Sequence, residues 1–188
     1  MKNLFRKYTG ILSLLSFLLI LPVHYAHSQN VDELFGIKLF DNATNYVSSE
    51  YIENNKFKDT ESISGFWTLY MGDKVSSPYF ELFFTTIDNY NTIHQIKGKQ
   101  NYISEDRCVE FLHVQKINIE NKKQVILDFH EKDYGKARIT SYVTSGDSNN
   151  ITLNIKCIHK FDPIDNYMMF SLSSEALINA REEYYSQD

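Results

Sequence analysis

Two cysteines and four histidines carry most of the chemistry open to the chain after residue 28. Cys108 and Cys157 are the only cysteines. Joined in an oxidising compartment they would close a loop of about 50 residues and stabilise the fold by roughly 2 to 4 kcal/mol. The competing chemistry is a catalytic thiol, since His159 stands two residues from Cys157 on the same face of an expected strand. A thiol on an apolar strand face is inert rather than activated, and no nucleophile signature surrounds either cysteine, so the disulfide is the expectation.

The histidines are His94, His113, His130 and His159. His130-Glu131-Lys132-Asp133 gathers metal-ligand types but lacks two His at i and i+4 flanking a Glu, the spacing that closes on zinc. It reads as a solvated helix end. His94 stands at an outward strand position beside Gln95. Glu105-Asp106, Glu182-Glu183 and Asp162/Asp165 read as helix-start, surface and turn residues. No G-x-S-x-G elbow occurs, and seven scattered glycines build no phosphate loop. No catalytic, cofactor-binding or metal-binding residue is therefore assigned, and no cofactor is expected. A glycosidase carboxylate pair has no sequence signature, so a small secreted hydrolase with a scattered site is the alternative class.

The elements that must position these residues follow a leader. Lys2, Arg6 and Lys7, the apolar run Ile11 to Val23, and Ala26-His27-Ser28 are the three parts of a secretory signal peptide. The run is shorter than the roughly 20 residues of a spanning helix. Cleavage is expected after Ser28, so residues 1–28 are the signal peptide and 29–188 a single exported domain beginning at Gln29. An uncleaved N-terminal anchor is the alternative. The leader holds three of the 19 basic residues and none of the 24 acidic ones, which leaves 16 against 24 and a formal charge of −8. That balance argues against nucleic acid and anionic lipid as the main partner. Thirteen Tyr and 13 Phe with seven Gly and three Pro indicate an ordered, strand-heavy chain.

Asp41 caps an expected short helix at 42–53, and Glu53 to Ser64 reads as a loop. Strands are expected at 65–71, 79–86 and 92–97, with Phe80, Leu82 and Phe84 on the apolar face. Ser104 caps a helix running to about residue 132, with a break at 118–123 as an option and Gly135 as its stop. Strands follow at 138–144, 151–159 and 167–172, then a helix from Ser173 or Ser174. In the middle strand of this set Ile151, Leu153, Ile155 and Cys157 alternate with Thr152, Asn154 and Lys156. The class is α+β, antiparallel β-meanders with covering helices, an order that suggests two αβββ halves plus a C-terminal helix.

Over residues 34–172 this order, with Gly36 to Val47 as a strand leading into a short helix and Phe66-Trp67 leading into strands, resembles the exported tandem helix-plus-meander modules of the β-lactamase-inhibitor-protein and SmpA/OmlA-like families. The resemblance implies binding rather than catalysis, through the exposed face of a sheet. Tyr70, Tyr79, Tyr90, Tyr102, Tyr142 and Tyr167 lie on or beside the strands and would suit a protein or glycan partner. The sequons at Asn42 and Asn150 read as chance matches. The expectation is an exported, periplasmic or secreted, non-enzymatic binding or envelope-assembly protein.

Overall fold

The computed structural model describes residues 31–58, 63–75, 80–102, 104–144, 150–160 and 166–186. The leader, the hairpin loop at 145–149 and the Asp162/Asp165 turn lie outside the described residues. In chain order the elements are β1 (Glu33–Leu34), β2 (Ile37–Lys38), a 3-10 turn (Ala43–Asn45), α1 (Ser49–Asn55), β3 (Lys56–Phe57), β4 (Phe66–Tyr70), a 3-10 turn (Gly72–Lys74), β5 (Leu82–Asp88), β6 (Ile93–Asn101), α2 (Glu105–Lys123), β7 (Leu127–Asp133), β8 (Ala137–Thr144), β9 (Ile151–Lys160), β10 (Tyr167–Ser174) and α3 (Glu175–Tyr185). The class is α+β, as the patterning implies.

β9 organises the core. Ile151, Leu153, Ile155 and Cys157 are buried, while Thr152, Asn154 and Lys156 are only half-buried. Directly opposed residues of paired strands project from the same face, so this inward set extends sideways. Leu172, Phe170 and Met168 of β10 stand opposite Leu153, Ile155 and Cys157, and Tyr142 of β8 stands opposite Ile155. The ladder continues into one eight-stranded antiparallel sheet of order β3-β4-β5-β6-β10-β9-β8-β7. Each half is a helix followed by four strands in a meander, not three, and the last strands of the halves, β6 and β10, meet at the centre.

One face is closed. α2 lies over β8 and β9, α1 over β4, and the N-terminal segment brings Val31, Ile37 and Leu39 into the same apolar cluster. Phe35 from this segment sits where a Cβ at Gly98 would be, 2.6 Å from its ring atoms. Only the absence of a side chain there lets the segment approach. The opposite face is covered, among the described helices, by α3 alone. Arg181 donates to Gln95, whose amide donates to Ser173, and both Gln95 and Ser173 project away from the Cys157 side.

Four expectations are corrected. The helix at 42–53 is a 3-10 turn followed by α1. Asn42 caps the turn by accepting from the Thr44 N–H, and Ser48 starts the helix afresh by accepting from the Tyr51 N–H. The stretch read as a loop after Glu53 supplies the edge strand β3. In β5 the inward residues are Phe83, Thr85 and Ile87, so Leu82 and Phe84 face the other way, one position from the expected register. Phe80 enters the core just before the strand begins, and that break in alternation misassigns the face. Finally, α2 ends at Gln124, which takes the left-handed conformation at φ 54°. Residues 127–133 form β7, and Gly135 turns a hairpin into β8 rather than stopping a helix. Ile126 and Phe129, which keep the helical register on paper, are exposed.

Candidate functional site

Cys108, in the first turn of α2, is bonded to Cys157 of β9, with Cα atoms 6.1 Å apart and both residues buried. No free thiol exists. The bridge clamps α2 onto the sheet beside a polar cluster. Glu105 of α2 stands 3.4 Å from Arg138 Nη1 and 3.6 Å from His159 Nε2. Burial, and then the Glu105 charge, push the Tyr102 phenol up to about 12. Tyr102 Oη, His159 Nδ1 and Asn166 Nδ2 are buried with no hydrogen-bond partner among the described residues. The Asn166 Oδ1 accepts from the Lys160 N–H at 2.7 Å, which orders the start of β10.

A second constellation was invisible in the sequence. His94 Nδ1 lies 3.0 Å from Ser174 Oγ, 80 residues away, and His94 Nε2 lies 3.3 Å from Asp88 Oδ2. These are the three residue types of a hydrolase triad. Their surroundings give them a different task. Ser174 is buried, and its Oγ accepts the Leu177 N–H as the N-cap of α3. Asp88 Oδ1 accepts the N–H groups of Tyr90 and Thr92 in the β5–β6 turn. Burial acts to raise the Asp88 carboxyl, but those backbone bonds and His94 outweigh it and hold it below the ordinary aspartate value. Phe40 and Phe66 present ring edges to the imidazole. The arrangement is a clasp that ties the N-terminal segment, the β5–β6 hairpin and the start of α3, with no hydroxyl reachable by a substrate.

His113 Nδ1 is 3.3 Å from Tyr142 Oη, and His130 is exposed on the edge strand rather than at a helix end. Among the described residues no three His, Cys, Asp or Glu side chains converge as a metal site would require. No described helix is long and apolar enough to cross a membrane. Glu105 and Asp106 do occupy the first turn of α2, and Glu182 and Glu183 lie on α3. An open cleft of about 330 Å³ lies between the first 3-10 turn and α1, lined by Tyr46, Tyr51 and Lys74 among others. Tyr46 Oη there already donates to Asp41 and accepts the Lys38 N–H, so it presents no spare polar group.

Among the described residues, the surface that remains is the sheet face that α3 leaves uncovered. Following the register across it, Leu82, Lys99, Met169, Lys156, Ser141 and His130 form one cross-strand row. Tyr70, Phe84, Lys97, Ser171, Asn154, Val143 and Asp128 form the next. The expected tyrosine surface is corrected. Tyr142 points into the core, Tyr102 is drawn inward, Tyr90 is at a turn, and Tyr79 lies outside the described residues, so Tyr70 and Tyr167 alone stand on this face. Lysines dominate instead. Lys97, Lys99 and Lys156 rise from its central strands, with Lys99 Nζ 4.2 Å from the Tyr167 ring centroid. In these two rows the three lysines outnumber the one carboxylate, Asp128, which leaves a cationic stretch on an acidic chain. Searches with the chain against protein-family models, curated proteins and solved structures find no match.

Proposed function

We propose that the protein is an exported binding or envelope-assembly protein that takes a protein partner, with an acidic surface, on the sheet face left open by α3. The observation that carries this reading is the asymmetry of the sheet. Two helices and the N-terminal segment close one face, whereas the other carries half-buried Lys97, Lys99 and Lys156 among Tyr70, Phe84 and Met169 and is covered, among the described helices, by α3 alone at one end. Opposite charge across an interface steers encounter and fixes register, and aromatic and Met side chains supply contact area. The basic, apolar and small-residue order of residues 2–28 and the Cys108–Cys157 bond both suit passage into an oxidising compartment. The resemblance to tandem helix-plus-meander modules implies the same use of a sheet face.

The test is capture from the protein's own envelope or secreted fraction. Lys97→Glu and Lys99→Glu should abolish recovery of the partner and reproduce the deletion phenotype, while His113→Ala should do neither. A hydrolase with a scattered site would behave in the opposite way. If His159→Gln or Asp88→Asn removed function with the fold intact, and the lysine variants did not, the binding reading would be overturned. A partner recovered as a glycan rather than a protein would overturn the choice of partner.

A further inference from the structure

The sheet has two edges, and they are unequal. β3 offers two residues, whereas β7 offers seven, of which all but Leu127 are exposed. The direction of its free backbone groups can be read from the hairpin. Tyr134 N donates to Ala137 O at 2.9 Å, so Tyr134 turns its backbone groups toward β8. Antiparallel ladders alternate, so His130 and Lys132 do likewise, and Phe129, Glu131 and Asp133 turn theirs outward. Leu127 also turns outward, but its N–H is taken by Glu120 Oε1 at 2.9 Å. Among the described residues the unoccupied edge is therefore Phe129 to Asp133, plus the Leu127 carbonyl.

We propose that β7 of a second copy of this chain pairs antiparallel with this edge, about a two-fold axis through His130. The register is set by what the edge carries. With His130 at the axis, Phe129 of each copy faces Glu131 of the other, and both turn their backbone groups outward, as a hydrogen-bonded pair requires. Asp128 then faces Lys132 twice, at the closer, non-hydrogen-bonded positions where opposite charges couple best. An axis at Glu131 would oppose two carboxylates, and one at Phe129 would leave Lys132 without an opposed residue inside the strand. Exposed strand edges recruit other strands unless charges repel them, and these charges attract their own copy. The two sheets would run on as one. Because the join involves neither Lys97, Lys99 nor Lys156, its failure leaves the open-face reading untouched.

Sedimentation equilibrium of the exported protein tests this. The wild type should show a monomer–dimer equilibrium. Asp128→Lys and Lys132→Asp should each weaken it about tenfold or more, since each turns two attractive pairs into repulsive ones, and the double variant should restore it. Glu131→Pro should abolish the dimer while near-UV circular dichroism stays that of the wild-type monomer, because its N–H makes no bond to β8. A wild type monomeric up to about millimolar concentration, the weak end of specific association, would overturn the proposal. So would a dimer indifferent to Glu131→Pro, or single reversals that the double variant does not rescue. A dimer sensitive to Asp128→Lys but not to Lys132→Asp would move the axis to Phe129 and overturn the register.

Discussion

Single residues in this protein are held by partners far away in the chain, and their responses to substitution should reveal the face each occupies. Leu153→Ala and Ile155→Ala remove fully enclosed side chains and should each cost about 2 to 5 kcal/mol in denaturant unfolding, whereas Thr152→Ala on the other face should cost little. Gly98→Ala should cost about 1 to 3 kcal/mol, since the new methyl collides with the Phe35 ring and its neighbour Phe80. Two carboxylates give stability a pH dependence. Asp88 is held low against its own burial by hydrogen bonds, and Glu120 is held low first by Lys116 and then by the Leu127 N–H. A depressed carboxyl contributes stability that is present above its unfolded value and lost as pH falls through its folded one. Acid unfolding should therefore set in below the ordinary Asp and Glu values of 3.8 and 4.5. Asp88→Asn should lower stability at neutral pH and flatten the acid limb of an unfolding titration. An unchanged limb would mean that the bonds Asp88 makes to the Thr92 and Tyr90 N–H groups and to His94 do not hold its carboxyl low.

At the scale of elements, caps and turns decide where chain segments stop being what their patterning suggests. The β9 alternation, the start of α3 at Ser173 or Ser174, of which Ser174 is the cap, and the acidic first turn of α2 are legible in the sequence because each rests on neighbours within a few positions. β7 is not. Its residues continue a plausible helical stripe from Cys108, and nothing local contradicts it. What ends the helix is Gln124 in a left-handed conformation, with Glu120 reaching over to the Leu127 N–H. Gln124→Gly should relieve the backbone cost of a side chain at that φ and raise stability by about 0.5 to 1 kcal/mol, measured by thermal unfolding. Reduction of Cys108–Cys157 should act in the other direction, by about 2 to 4 kcal/mol, because it frees a loop of 49 residues' separation in the unfolded chain.

For the whole molecule, the joining of two meanders into one sheet creates the candidate surface. Residues as distant as Lys99 and Lys156 come to flank one residue, Met169, only because β6 and β10 pair at the centre. A prediction at this scale concerns salt. If the cationic face binds an acidic partner, association should weaken steeply as ionic strength rises, most of the change appearing in the association rate. An affinity independent of salt would point to the aromatic residues alone.

The sequence by itself determined the α+β class, the helix-then-strands order of each half, the cysteine pair and the inward face of β9, since these rest on periodicity, caps and residue type. Only the tertiary structure decided which residues meet across the chain: the Ser174–His94–Asp88 clasp, the turning inward of Tyr142 and Tyr102, the lysines gathered on the open face, and the free edge at β7. The reason is physical. Local patterning reports which residues avoid water, but strand pairing decides which of them share a face, and a shift of one residue, as at Phe83 and Phe84, exchanges the faces altogether.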